Sequence, residues 1–296
     1  YAPSGIGVYL AAGGSVTNAA GGLIEGNGVG IDIAGGPGTV VNGGTISGGG
    51  GTAVEFSGGY NLVVVDPGAV FQGIVDGGTG NDTLELAAGA GRGTLSGLGT
   101  QYLGFSVVTV DAGAQWVLSG SNTIDAGVTL EDLGTLTIDG ALANTGSLWA
   151  NGGNVTVEGA ATGGGNAEIS GDASLEFAAG SDAAVTFDAG ASGTLKLDQS
   201  ADFTGTIAGL GAGDVLDLGD IAFGSDDTLG YTENAAGTGG TLTLGDGTHT
   251  ASLALLGQYA AAGFAIGADA NGGTLVTYTP QSGGGAEQAM LTIPHH

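Results

Sequence analysis

Three hexapeptides at one spacing constrain this chain more than anything else in it. Gly5-Ile6-Gly7-Val8-Tyr9-Leu10 returns as Gly28-Val29-Gly30-Ile31-Asp32-Ile33 and again as Gly51-Thr52-Ala53-Val54-Glu55-Phe56, at offsets of 28 − 5 = 23 and 51 − 28 = 23. A second series agrees. Ser15-Val16-Thr17-Asn18 returns as Thr39-Val40-Val41-Asn42, and Asn18, Asn42 and Asp66 are spaced by 24. A small-residue turn follows each, then Leu23-Ile24, Thr45-Ile46 or Ala69-Val70. Each unit therefore reads as three short β segments joined by glycine-rich corners. A unit of this length cannot bury its apolar face alone, so it must stack on its neighbours.

The segments alternate apolar with small or polar residues, the period of a half-buried strand. Ile6, Val8 and Leu10 share one face; Gly7 and Tyr9 take the other. Stacking such units at about 4.8 Å buries every apolar face in one column. The expected fold is all-β: a right-handed parallel β-helix, or β-solenoid, with three faces and coils of about 23 residues. Its apolar columns should contain Ile6, Val8, Leu10, Val29, Ile31, Ile33, Val54 and Phe56. A β-sandwich also uses short strands but does not impose this period.

The chain divides on this reading into regular coils over 1–90, less regular coils over 91–222, a β-rich C-terminal cap over 223–280, and a linker and tail over 281–296. In the second region Val107-Val108-Thr109-Val110, Trp116-Val117-Leu118, Thr135-Leu136-Thr137-Ile138, Asn154-Val155-Thr156-Val157, Ser174-Leu175-Glu176-Phe177 and Thr194-Leu195-Lys196-Leu197 keep the strand grammar. In the cap, two alternating runs around Gly245-Asp246-Gly247 predict a hairpin, Gly273–Tyr278 a further strand, and Leu253–Ala262 one short helix. The tail, Ala289 to His296, is expected to dock or to carry a targeting role.

Charge narrows the partners. The 296 residues include 67 Gly and no Cys, and 29 Asp+Glu stand against 2 Lys+Arg for a net charge of −27. Phosphate neutralisation needs Lys and Arg, so nucleic acid is excluded, and anionic lipid is repelled with it. Disulfides, zinc thiolates and thiol nucleophiles are absent. No apolar run reaches the roughly 18 residues of a membrane helix, and membrane insertion is not expected. Glycine at this level often marks disorder, but 42% apolar residues and a mean hydropathy of +0.30 supply a core.

The Val-Thr-Asn-x-Gly-x-Ile-x-Gly grammar of the first coils resembles β-helical autotransporter passengers and haemagglutinin-like surface proteins of Gram-negative bacteria. Gly193–Leu197, Phe203–Ile207 and Gly211–Leu218 look like repeats in large secreted proteins of rhizobia-like alphaproteobacteria. The resemblance covers most of residues 5–280 and is specific for architecture and export rather than for activity. It implies an extracellular or cell-surface structural, adhesive or matrix protein without catalytic activity, with a host or matrix glycan as a candidate partner.

One metal motif is complete. Gly77-Gly78-Thr79-Gly80-Asn81-Asp82-Thr83-Leu84-Glu85 fits the Gly-Gly-x-Gly-x-Asp-x-apolar-x nonapeptide of calcium-binding β-rolls. Gly78, Gly80 and Asp82 would offer Ca²⁺ hard oxygen ligands. A β-roll shares each ion between consecutive turns, however, and this is a single copy; a plain corner is the other reading. No cofactor is required by any motif. The enzymatic rival is a polysaccharide lyase, hydrolase or epimerase built on the β-helix. Only Arg92 and Lys196 are available as cationic groups, and the acidic pairs Asp226-Asp227 and Glu131-Asp132 fall in expected loops, whereas glycosidases hold two carboxylates across the scissile bond. His249 lacks a triad pattern. Thr-x-Thr pairs such as Thr135/Thr137 and Thr241/Thr243 are too irregular for an ice-binding face, and Gly-x-Gly strings are chance matches among so many glycines. Because Gly5 opens a coil directly, the first coil should expose unpaired strand edges. Either an upstream solenoid segment covers them or another molecule stacks head to tail.

Overall fold

Alternating segments whose neighbours recur one coil later can satisfy their backbone groups only by pairing with the copy above and below. The computed structural model, which describes residues 5–280, shows this pairing throughout. Ile6, Val8 and Leu10 lie against Val29, Ile31 and Ile33, and these in turn against Thr52, Val54 and Phe56. Six of the eight residues expected in the apolar columns, Val8, Leu10, Ile31, Ile33, Val54 and Phe56, lie in or against the core; Ile6 and Val29 are only half-buried and stand outside it. Coils of about 22 residues stack into a β-solenoid of about ten turns. Helical content among the described residues is limited to two 3-10 turns, Ser200–Asp202 and Ala261–Gly263.

The longest sheet has 13 strands and begins with Gly14–Asn18, Gly38–Asn42, Leu62–Val65 and Thr83–Leu86. It continues in parallel through Thr129–Asp132, Ser147–Asn151, Asn166–Ser170 and Ala184–Phe187 to Thr206–Ala208. A second side is a nine-stranded sheet running from Gly93–Ser96 to Val215–Ala222 and beyond. Smaller sheets of six and three strands make up the rest. The strand Thr45–Phe56 turns a corner within itself at Gly48–Gly51, where Gly51 takes φ +97°; a residue with a Cβ would be strained there. Inside, Val, Ile and Leu columns are fully buried, each large side chain contributing about 1.5–3 kcal/mol of hydrophobic stabilisation.

Corners are built from short side chains that return to the backbone. Asn42 Oδ1 accepts the Gly44 N–H at 3.1 Å and Asn144 Oδ1 the Gly146 N–H at 3.1 Å. The amide nitrogen then reaches the next coil: Asn18 Nδ2 donates to Asn42 Oδ1 at 2.9 Å, Asn42 Nδ2 to the Val70 carbonyl at 3.2 Å, and Asn144 Nδ2 to the Asn166 carbonyl at 2.9 Å. One side chain closes its own turn and ties two coils together.

Several expectations need correction. Asp66 is not the third member of the Asn18–Asn42 column, because Asn42 lies against Val65, an offset of 65 − 42 = 23 where Asn18 and Asn42 are offset by 24. The corner that follows is longer, 70 − 65 = 5 residues from Val65 to Val70 against 45 − 42 = 3 from Asn42 to Thr45, so Val70 and Phe71, rather than Ala69 and Val70, face Thr45 and Ile46. Glu131 and Asp132 are not in a loop. They end the strand Thr129–Asp132, where alternation sends Glu131 outward and Asp132 into the core. The short helix over Leu253–Ala262 is absent. Its first half belongs to the strand Thr250–Leu256, which pairs in parallel with Thr206–Ala208 and so extends the long sheet. Sheet pairing outweighs the helix propensity of an Ala- and Leu-rich run. The hairpin around Gly245-Asp246-Gly247 is present, with Gly239–Gly245 antiparallel to Thr250–Leu256. The expectations for the tail lie outside the described residues.

Candidate functional site

The Gly77–Glu85 corner brings Asp82 to a neighbouring coil. Asp82 is fully buried, and its Oδ1 accepts hydrogen bonds from Asn61 N at 2.7 Å and Asn61 Nδ2 at 2.9 Å. Asn61 passes the chain on, accepting the Gly38 N–H at 2.8 Å. Gly78 takes φ +92° and donates its N–H to Asp76 Oδ1 at 2.9 Å, and Gly80 takes φ +130°. Half of the Asp82 carboxylate thus does the work that Asn does at other corners. The other oxygen, Oδ2, is buried without a hydrogen-bond partner. Among the described residues no group of three or more metal-ligating side chains gathers here or elsewhere.

A different constellation lies on the outer face of the long sheet. In one outward row Glu85, Thr109, Glu131, Trp149, Glu168 and Thr186 follow one another on successive coils. Trp149 is half-buried and sits between Glu131 and Glu168. Its indole is fixed: Nε1–H donates to Ser170 Oγ at 2.7 Å, and the Ser170 hydroxyl donates to Asp188 Oδ2 at 2.7 Å. Asn151 Nδ2 donates to Glu131 Oε1 at 2.7 Å on the other side. Burial, then a hydrogen bond and repulsion from Asp188, push Glu168 above the usual carboxylate range. Burial and Asp111 do the same to Glu85. The strip therefore offers one aromatic ring, held by strands, with the carboxylates of Glu131 and Glu168 on the coils to either side. The rest of this face around Trp149 is short and polar: Thr129, Ser147 and Asn166 in the adjoining row.

The two cations are already engaged. Lys196 Nζ lies 2.5 Å from Glu176 Oε1 and 3.0 Å from Asp198 Oδ1. Burial alone would lower its ammonium, but these two carboxylates more than offset that and hold it above its ordinary range. Arg92 Nη2 donates to Thr137 Oγ1 at 2.9 Å. Asp226 and Asp227 stay in a turn, where Asp227 Oδ2 accepts the Gly224 N–H at 2.9 Å. His249 does have an acidic partner, Asp246 Oδ2 at 3.2 Å from Nδ1, but Asp246 is first a turn residue that accepts the His249 and Thr248 N–H groups. Those bonds hold its carboxyl well below the usual range. A cleft of about 230 Å³ beside Tyr102 and Phe105 is lined by Asp125 as its single ionisable carboxylate, so it presents no acid pair.

Sequence reasoning missed the Trp149 strip, although half of its signal was present. With Leu148 and Ala150 inward, strand alternation sends Trp149 outward. What the sequence does not display is its neighbours, because the coils shorten to 149 − 131 = 18 residues between Glu131 and Trp149 and 168 − 149 = 19 between Trp149 and Glu168. No protein-family model and no curated protein matches the sequence.

Proposed function

We propose that this chain is a non-catalytic structural and adhesive module of a secreted matrix or bacterial surface, and that the Trp149 strip is its contact with a neutral or amine-bearing glycan. The observation that carries the reading is the placement of Trp149 between Glu131 and Glu168 on a flat sheet of short polar side chains. An indole is broad, apolar and stiff, so it stacks on the apolar face of a sugar ring at little entropic cost. Carboxylates one coil above and one coil below the ring, each coil a step of about 4.8 Å, accept charge-assisted hydrogen bonds from hydroxyl or ammonium groups along the same line. The negative surface disfavours polyuronates and sulfated chains. Export is supported by the resemblance of the first coils and by a cysteine-free sequence.

A second reading, a polysaccharide-active enzyme, draws on Glu168 with Asp188 and Glu85 with Asp111. A carboxyl whose proton is held more tightly by burial, beside a second carboxyl, is the raw material of acid–base catalysis. One experiment separates the two. The protein is passed over an immobilised polysaccharide panel while new reducing ends and unsaturated products are assayed in solution. Retention of the wild type, lost at least tenfold in Trp149→Ala, with no product, supports adhesion. Turnover abolished by Glu168→Gln overturns it in favour of the enzyme.

A further inference from the structure

Side chains of the core that remain partly uncovered collect at the two ends of the stack. Val8, Val16 and Ile24 belong to the first coil; Leu229, Tyr231 and Ile266 belong to the last layer. In the middle, the equivalents of Val8, Val16 and Ile24 one coil on, Ile31, Val40 and Ile46, are completely buried. Among the described residues the strands at both ends also have one unpaired edge. Gly14–Asn18 pairs on one side with Gly38–Asn42 and ends its sheet, and Leu23–Gly26 pairs with Thr45–Phe56 alone. At the opposite end, Thr228–Glu233 and Phe264–Ala268 each close a sheet with one partner.

Strand direction links the two ends. Thr250–Leu256 runs parallel to the coils, Gly239–Gly245 is antiparallel to it, and Thr228–Glu233 is antiparallel again. On the adjoining side Gly273–Tyr278 is antiparallel to Val215–Ala222, and Phe264–Ala268 is antiparallel to Gly273–Tyr278. Two reversals restore the original sense on both sides. The last layer therefore presents edges running in the same direction as Gly14–Asn18 and Leu23–Gly26, the corresponding segments of the first coil. None of these four strands contains Lys, Arg or Pro, the usual guards of an open edge, and their acidic residues are Glu25 and Glu233. A polar group is unfinished at the last layer as well. The Tyr231 hydroxyl is enclosed without a partner.

We propose that copies of this chain stack head to tail, Gly14–Asn18 and Leu23–Gly26 of one molecule meeting Thr228–Glu233 and Phe264–Ala268 of the next. The long sheet then runs on between molecules in unchanged sense, the edge strand Leu23–Gly26 of the six-stranded sheet meets the edge strand Phe264–Ala268 of the nine-stranded one, and the uncovered apolar residues of the two ends bury one another. The contact is heterologous and does not close, so it generates filaments. Each molecule adds the 13 strands of the long sheet, an axial repeat of about 62 Å at about 4.8 Å per strand. The net charge of −27 opposes stacking at low ionic strength and is screened by salt.

The full 296-residue protein is examined by sedimentation and negative-stain electron microscopy over a wide concentration range at high salt. The expected result is rods one molecule wide that lengthen with concentration. Val16→Lys and Leu229→Lys block opposite ends; each alone, shown to be folded by circular dichroism, sediments as a single particle. Mixed, the two variants form pairs and nothing longer, because one competent end survives on each, and if either variant fails to fold the other gives the same single-particle reading. Single wild-type particles at every concentration overturn the proposal. So do rods from either folded variant, or pairs from Leu229→Lys alone, which would place two first coils face to face.

Discussion

Replacing Asp132 with Asn should stabilise this protein at neutral and alkaline pH and leave it unchanged in mild acid. Asp132 is completely buried at a position where Val110 precedes it and Ala150 follows it in the column. Burial pushes its carboxyl up to about 7, against the pull of the Gly134 and Asn154 backbone N–H groups. The folded value lies above the unfolded value of 3.8, so this group's contribution to stability is full below that pH, falls as pH rises towards about 7, and is flat beyond. At 1.36 kcal/mol per pH unit the charged form is disfavoured by about 4 kcal/mol, an upper limit that relaxation and water entry will reduce. Asn keeps the acceptor that Asp132 Oδ1 offers Gly134 N–H at 3.2 Å. It also replaces Oδ2, which has no partner, with a donor. At the equivalent corner, Asn42 sends that donor to the first residue of the next coil's adjoining strand. Urea midpoints of wild type and Asp132→Asn, measured from pH 4 to 8, are the assay; midpoints are used because long repeat arrays depart from two-state unfolding. Asp32, Glu85, Glu168 and Asp217 are also pushed up, in each case by burial first, and contribute the same slope to both proteins. The difference between the variants isolates Asp132. A difference that stays constant across this range, or one that favours the wild type as pH rises, would refute the reasoning.

Three other outcomes follow from the packing. A Cβ at Gly205 would sit 1.9 Å from the Ala183 carbonyl oxygen, so Gly205→Ala should lower stability by about 1–3 kcal/mol. Gly224→Ala, which meets nothing within 4 Å, should stay within about 0.5 kcal/mol in the same urea titration. Asp82→Ala strands both Asn61 donors and should cost about 1–3 kcal/mol, whereas Asp82→Asn retains an acceptor and should cost less. Because Asp82 Oδ2 is the unpartnered oxygen of the Gly78–Asp82 corner, Ca²⁺ is expected to raise the wild-type melting temperature more than that of Asp82→Asn; equal responses remove calcium from Gly78, Gly80 and Asp82.

The first coils were legible because their opening strands pair at a constant offset of 23 residues. Val8, Ile31 and Val54 fall in one column at the spacing read from the sequence, and Asn18 meets Asn42 through a side-chain hydrogen bond. The second strands pair first at 24 residues and then at 23, which puts Val65 in the place expected for Asp66, since a one-residue slip exchanges inward for outward side chains. Local alternation survived such slips and identified strands as far as Thr194–Leu197. Long-range alignment did not survive them, which is why the Glu131–Trp149–Glu168 row emerged only from the fold. Leu253–Leu256 misled in the opposite way: its composition suits a short helix, but the open edge of Thr206–Ala208 offered hydrogen bonds that a helix would have left unmade.

The adhesive reading is tested most directly by titrating the protein with glycans retained from the panel while following intrinsic tryptophan fluorescence. The chain has two tryptophans, and they report separately. Trp116 is sealed in the core, its Nε1–H donated to the Ala87 carbonyl at 3.0 Å, while Trp149 lies on the outer face. A saturable change in emission that persists in Trp116→Phe, and is lost together with binding in a folded Trp149→Ala, is the predicted result. Glycan binding that proceeds undiminished in Trp149→Ala would contradict the assignment of the Glu131–Trp149–Glu168 row as the contact.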